Sequence, residues 1–374
     1  MSKKVLIVYA TGGMGHVTAA KAIESAFKAK YPEIEVKNVD VIDFASKFYK
    51  KIFVDGYNWV SAKKPGLWGW LYKTFNSKSR QDLPSLISRW AISKRFIPFI
   101  QEFKPDFIIS THPLPMILVS HSKAKDVIDI YSSMVCTDFG CHSFWVDPEV
   151  NYYFGAVENV AACLVNYGVK RQQVAITGIP IDKKFALALN KDDLLKKHNL
   201  KKDAFTILIV GGQFGIDTLK IIINSIIDKH DGKVQFLVVA GRDNALREAL
   251  NKADLNKRFF NVKIFGFIDY MYELMTVSDI IFSKAGGLTV SECMAKGLPM
   301  VINKVIPGQE EDNVEYLASR NAAVKASNTE QIIKAIDDLI KNPQKVAEMK
   351  KNAELIGRPN SAEELADFVV SKIK

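Results

Sequence analysis

Short apolar runs rich in β-branched residues alternate with stretches of helical period along almost the whole chain. Val5–Ala10, Val36–Val41, Phe107–Ser110 and Asp129–Val135 read as buried strands of a first series. Phe205–Val210, Val234–Ala240, Val262–Phe265, Ile280–Phe282 and Met300–Ile302 read as those of a second. Strands separated by helix-length segments predict parallel sheets with crossover helices. Each series opens with a strand and a glycine-rich turn, "YATGGMGHVTAA" and "IVGGQFGIDTL", so the expected fold class is α/β with two doubly wound, Rossmann-like domains. Between them, "TGIPIDKKFALALNKDDLLKKHNLKKD" carries Gly178, Pro180 and many lysines, which suits an interdomain connection. A first domain over residues 1–185 and a second over 186–358 follow. A last helix, from about Ser361 to Lys374, lies in 359–374 with Asn360 or Ser361 as its cap.

Composition narrows the class. With 374 residues the chain exceeds one typical core, and 48% apolar with 25% charged residues is ordinary for a globular protein. No apolar run approaches the roughly 18 residues a membrane span needs. The run Val5–Val8 after Lys3 and Lys4 is too short for a signal peptide. Cys136, Cys141, Cys163 and Cys293 show no disulfide framework, so a reducing cytoplasm is expected. Of the net charge of +10, +9 falls in residues 47–100, where eleven Lys or Arg, Lys63 and Lys64 among them, face only Asp55 and Asp82. That segment also holds Trp59, Trp68, Trp70 and Trp90, four of the five tryptophans. Basic residues mixed with indole rings point to an anionic membrane surface more than to nucleic acid. The plainer alternative is a helical hairpin with a solvated charged face.

Candidate chemistry sits at the glycine-rich turns. In "SKAGGLTVSECMAKGLPMV" a strand ends near Ser283, Gly286 and Gly287 make the turn, and a helix runs from Leu288 to Lys296 before Gly297 and Pro299 stop it. Backbone amides at such a helix start, with no Cβ to hold a ligand off, suit a phosphate. Thr289-Val290-Ser291-Glu292 also matches a capping box, so Glu292 is open between a cap and a ligand group. Gly211, Gly212, Gln213 and Gly215 repeat the device at the same sheet edge, and one pyrophosphate fits between the two turns. The first-domain turn matches G-x-G-x-x-G poorly, and neither Asp40 nor Asp43 stands convincingly where a nicotinamide fold needs its acid. His16 ends that turn at a sheet edge, where imidazole serves either structure or proton transfer. His112 in "STHPLP" reads as a cleft loop or a capped strand end. Gln309, Glu310, Glu311, Asp312 and Asn313 either favour a helix N-terminus electrostatically or bind sugar hydroxyls. Cys136, Cys141 and His142 lack a second ligand pair at zinc spacing, and no D-x-D stands at a strand end. No metal is therefore expected.

"KAGGLTVSECMAKGLPMVINKVIPGQEEDNVEYL" resembles the donor-binding signature of glycosyltransferase family 28, which has the GT-B fold of two domains facing a cleft. "GGMGHVTAAKAI", "IISTHPLP", the long stretch beginning "VCTDFGCHSFW" and "VAITGIPIDKKF" are similar to monogalactosyldiacylglycerol synthases and processive diacylglycerol glucosyltransferases. The likeness covers nearly the whole chain and is weakest in the basic aromatic segment. It implies that Glu292 binds the ribose of UDP, that Gly286, Gly287, Leu288 and Thr289 with Gly212 and Gln213 bind the diphosphate, and that Phe267 and Ile268 lie beside uracil. It further implies Gln309 and Glu310 at the donor sugar, His16 as general base and Asp138 as a second candidate. Gly13 and His112 would lie on the acceptor side. Met14 departs from the small residue common in the family, which bears on acceptor fit.

The implied activity is inverting transfer of glucose or galactose from UDP-glucose or UDP-galactose to diacylglycerol or a glycosyldiacylglycerol. It would run without a cofactor or essential metal, on the cytoplasmic face of the membrane. The first domain would bind lipid, the second UDP-sugar, and the last helix would cross back. N-acetylglucosaminyl transfer to a polyprenyl-linked peptidoglycan precursor is the alternative, and the "TDFGCHSFW" region argues against it. A UDP-sugar 2-epimerase would have no use for the Trp-rich segment. A non-catalytic lipid- or nucleic-acid-binding protein would not bind UDP.

Overall fold

The computed structural model describes residues 2–11, 13–46, 50, 82–211, 214–230, 232–253, 262–303 and 310–373, the side chains of 82–91 excepted. The first sheet contains β1 (Lys4–Tyr9), β2 (Glu35–Asp40), β3 (Phe107–Ser110), β4 (Tyr131–Val135), β5 (Tyr152–Gly155) and β6 (Val174–Ile176), in the order β2-β1-β3-β4-β5-β6. The second contains β7 (Phe205–Val210), β8 (Val234–Val239), β9 (Val262–Phe265), β10 (Ile280–Ser283), β11 (Met300–Ile302) and β12 (Ala323–Lys325), in the order β12-β11-β10-β7-β8-β9. Every strand pairing is parallel. Both sheets reverse direction in strand order once, between β1 and β3 and between β7 and β10. In open parallel sheets a ligand sits outside the strands' carboxyl ends at that reversal.

The expected α/β class with two doubly wound sheets is what the chain forms. The apolar runs work because both faces are covered. Val5 and Ile7 pack with Ile23 and Phe27, while Leu6 and Val8 pack with Ile92, Phe96 and Ile100 on the opposite face. β5, β6 and β12 were not read from the sequence. β6 and β12 are three-residue strands at sheet edges, only partly buried, and β5 is an aromatic run ending in glycine, so none carries the continuous aliphatic signal that marks the equally short β11.

The chain crosses between sheets twice, and the crossings lie against each other. Gly178 has φ of +87°, and a Cβ there would come within 2.6 Å of Arg358 Cβ, so the close pass needs glycine. Ser361, expected as a helix cap, is spent here instead: its fully buried hydroxyl donates to the Ile179 carbonyl (2.8 Å) and accepts from the Ile181 amide (3.3 Å). The helix Ser361–Ile373 then packs on the first helix, Met14–Lys30. Leu365, Ala366 and Val369 join Ala20, Ile23 and Phe27 in one apolar cluster. Burying Leu365 and Val369 contributes about 1.5–3 kcal/mol each, and Lys30 Nζ and the Tyr31 hydroxyl both reach Asp367 at 2.6 Å.

One expectation fails. Cys141 and Cys163 form a disulfide, although their spacing in sequence suggests no framework. β5 lies beside β4, and the helix Glu158–Asn166 that follows it returns over the loop after β4, which brings the two sulfurs together. Cys136 and Cys293 are buried thiols. Among the described residues no helix is long and apolar enough to cross a membrane. The basic aromatic segment, with Trp59, Trp68, Trp70, Lys63 and Lys64, lies outside the described residues; Trp90 is in the helix Asp82–Phe103, its side chain outside them.

Candidate active site

At the reversal of the first sheet, the turn after β1 is held by Asp40 from the end of β2. Its carboxylate accepts from the Thr11 amide (3.3 Å), the Thr11 hydroxyl and the Ile42 amide (3.0 Å). The acid that a dinucleotide fold would turn towards a ribose is thus committed to supporting the turn. Gly13 precedes the first helix with φ of 140°, and His16 follows within the first turn.

His16 Nδ1 lies 2.6 Å from the Thr111 carbonyl oxygen and 3.3 Å from the Thr137 hydroxyl. A carbonyl only accepts, so Nδ1 carries the hydrogen and Nε2 presents a lone pair. Burial pushes the imidazole pKa below its ordinary 6.5, with the Thr111 bond opposing, which keeps the ring neutral near pH 7. His112, beyond β3, stands edge-on to it with ring centroids 4.7 Å apart. Its Nδ1 accepts from the Leu114 amide at 3.0 Å and caps the helix Pro113–Lys123. Burial, then His16 itself, holds His112 well below the ordinary range, so both rings are neutral.

At the reversal of the second sheet, Ser283 Oγ donates to the Val210 carbonyl (3.1 Å) and ties the ends of β10 and β7 together. The helix after β10 is Gly287–Ala295 with Gly286 at its cap. It begins two residues before Thr289, so the capping box is not formed, and among the described residues no side chain caps this end. The Glu292 carboxyl, released from that role, makes no hydrogen bond among the described residues. Burial, with Asp182 nearby, pushes its carboxyl to about 8. A carboxyl in that condition lacks the donors that would favour its charged form.

Lys284, which sequence reasoning passed over, brings a cation to the helix start. Its Nζ lies 3.6 Å from where a Gly286 Cβ would stand and 2.8 Å from Glu310, whose side chain is 3% exposed. Leu288 and Thr289 are half-buried in the first helical turn. Phe267, after β9, is exposed, with the Arg242 guanidinium 5.1 Å from its ring centre; Ile268 is half-buried beside it. Gly212, Gln213 and Gln309 lie outside the described residues.

The two reversals meet at Thr137 and Asp138, in the loop after β4. The Thr137 hydroxyl touches His16, while its carbonyl oxygen lies 2.0 Å from where a Gly287 Cβ would be. Gly287 is glycine because the other domain's backbone passes there; Gly286 meets nothing so close. Asp138 is buried, accepts from Asn313 Nδ2 at 3.0 Å, and is raised to about 7, chiefly by burial. Cys141 is bound to Cys163, and His142 Nδ1 accepts from the Phe144 amide (3.1 Å). Among the described residues no group of three His, Cys, Asp or Glu could hold a metal ion.

Known proteins bear on this arrangement. The family described as "Monogalactosyldiacylglycerol (MGDG) synthase" matches residues 16–181, and "Glycosyltransferase family 28 C-terminal domain" matches residues 206–367. A processive diacylglycerol β-glucosyltransferase of Bacillus cereus is 31% identical over 373 residues, covering 99% of this chain and 94% of that protein. One from Bacillus anthracis is 31% identical over 374 residues with the same coverage. Among solved structures, the S. aureus MnaA–UDP co-structure aligns with TM-score 0.65 at 15% identity, covering 98% of this chain and 96% of that one. Acinetobacter baumannii MurG aligns with TM-score 0.60 at 16% identity, covering 99% of each. At those identities the structures speak for the fold, which is GT-B. The chain belongs to glycosyltransferase family 28, with the monogalactosyldiacylglycerol synthases and processive diacylglycerol β-glucosyltransferases.

Proposed function

We propose that this glycosyltransferase moves a hexose from a UDP-sugar to diacylglycerol or a glycosyldiacylglycerol, with inversion to a β-glycoside at a membrane surface. The observation that carries the reading is the facing pair at Thr137: a neutral imidazole on one side and an amide-lined helix start on the other. His16 Nε2 takes the proton of the acceptor hydroxyl as its oxygen attacks the anomeric carbon. The bond to the diphosphate breaks, and the helix start with Lys284 takes up the charge on departing UDP. Glu292 accepts from the ribose hydroxyls, Phe267 and Ile268 flank uracil, and Glu310 with Gln309 reads the sugar. Gly212 and Gln213 close on the diphosphate from the facing turn. Amides and a lysine neutralise it, so no metal is required.

On the acceptor side, Gly13 leaves room and His112 walls the hydroxyl. The basic aromatic segment around Trp59, Trp68, Trp70, Trp90, Lys63 and Lys64 docks on anionic lipid at the cytoplasmic face. Support for the lipid acceptor comes from the names of the relatives and from that segment's composition.

The test is transfer from each radiolabelled UDP-hexose to diacylglycerol in anionic liposomes, with and without chelator. Labelled lipid supports the reading, and the preferred donor identifies the sugar. If diacylglycerol stays unlabelled with every donor while UDP binds, the acceptor is wrong. Thiol trapping in membrane fractions shows whether Cys141 and Cys163 are bonded in the compartment where the enzyme works.

A further inference from the structure

Asn313, at the start of the helix Glu311–Ser319, is fully buried and spends its whole carboxamide on three bonds, two to the first domain's loop after β4 and one to the glycine turn of its own domain. Its Oδ1 accepts from the Phe139 amide at 2.7 Å. Its Nδ2 donates to Asp138 Oδ1 at 3.0 Å and to the Ala285 carbonyl at 2.8 Å. Phe139 and Asp138 belong to the loop whose Thr137 touches His16, and Ala285 immediately precedes the Gly286–Gly287 turn. From these contacts we infer that Asn313 is a positioning residue: it clips the wall carrying the general base to the turn that holds the donor diphosphate, and so sets their separation. The inference rests on the proposed transfer for its kinetic consequence, but the clip itself is a property of the unliganded fold.

Chemistry at this position is restrictive. An aspartate would lose both donors and put a second carboxylate against Asp138, with Glu310 and Asp312 also close and Lys284 the one cation among the described groups acting on Asp138. A glutamine is one methylene too long for a site with no exposed surface. The packing around the clip is equally tight: a Cβ at Gly140 would fall 1.8 Å from Asp312 Oδ2, and Phe139 lies 5.2 Å from the Tyr316 ring, centre to centre. A small change in this spacing moves the base relative to the anomeric carbon, and a misplacement of about 1 Å costs on the order of 10²-fold in rate.

The test compares wild type with Asn313→Ala, Asn313→Asp and the pair Asn313→Asp with Asp138→Asn. In Asn313→Ala, kcat falls about 10²-fold while UDP affinity by calorimetry is unchanged, because the second domain holds UDP. In Asn313→Asp, activity returns as pH falls and one of the facing carboxyls is protonated, the reverse of a profile limited by His16. The paired variant restores a donor opposite an acceptor and recovers part of the rate at neutral pH. Wild-type kcat in Asn313→Ala, or loss of UDP binding in step with loss of transfer, would overturn the clip. If Asn313→Ala does not fold, the pH profiles of the other two variants decide by the same criteria. If wild type transfers no sugar to any lipid, the functional reading fails, and small-angle X-ray scattering judges the clip alone: Asn313→Ala must have a larger radius than wild type, and an unchanged radius contradicts it.

Discussion

The two sheets use the same topological feature for opposite chemistry. Where the first reverses, between β1 and β3, the structure supplies two neutral imidazoles, with His16 offering a lone pair. Where the second reverses, between β7 and β10, it supplies a helix start, a lysine and a carboxyl without donors. In the proposed transfer, one side would accept a proton and the other negative charge. Neither alone completes a displacement, and the Thr137–Phe139 loop with Asn313 joins them. On the proposed function, a duplicated architecture divides one reaction by the side chains placed at equivalent edges.

The largest effect that would break this contrast is at the base. His16→Ala should lower kcat about 10²–10⁴-fold and leave UDP affinity as it was, read by transfer kinetics and calorimetry. Because burial lowers the His16 pKa, the acid limb of kcat/KM should fall at a pH below the ordinary 6.5. A limb above 6.5 would deny that the ring is held neutral.

Gly287→Ala comes next. The added methyl would lie 2.0 Å from the Thr137 carbonyl oxygen, so the domains must part. Transfer should fall about 10²-fold, by more than any loss of UDP affinity. A matching loss of both would mean Gly287 serves the nucleotide instead of the domain junction.

Glu292→Gln sharpens the other side. Losing the charged acceptor should weaken UDP about 10–100-fold, the cost of about 1.5–3 kcal/mol for a charged hydrogen bond. The same change should raise thermal stability at pH 8. The folded carboxyl holds its proton to about 8 and the unfolded one only to about 4.5, so stability due to this group is full below 4.5 and is lost as pH climbs towards 8. The advantage of the glutamine should vanish near pH 4. The smallest expected signal is protonic: ribose hydroxyls favour the carboxylate, so UDP binding at pH 7 should release a proton from Glu292. Calorimetry in buffers of different ionisation enthalpy reads this release.

How much of this was legible beforehand depends on where each signal resides. β3, β7 and β11 stand in the structure with the bounds their apolar runs imply, since a buried strand between polar turns marks both its own ends. The glycine turns were visible because glycine before a helix is costly without a reason. The reason at Gly287 was not visible, because the neighbour is Thr137 of the other domain. Lys284 escaped functional assignment, and Asn313 was readable only as one of several helix-start or sugar-binding groups, for the same cause: a lysine before a turn is ordinary, and the domain-joining bond of Asn313 goes to Asp138, 175 residues away. The Thr289–Glu292 pattern left Glu292 open because a local motif competes with the turn that starts the helix earlier. Cys141 and Cys163 misled because strand order, absent from their spacing, brings them together.

The most direct test of the division of labour is UDP affinity and hexose transfer measured side by side on His16→Ala and Glu292→Ala. The account predicts that His16→Ala binds UDP like wild type and transfers almost nothing, while Glu292→Ala fails first in binding. Loss of UDP binding in His16→Ala, or full binding with lost transfer in Glu292→Ala, would contradict it.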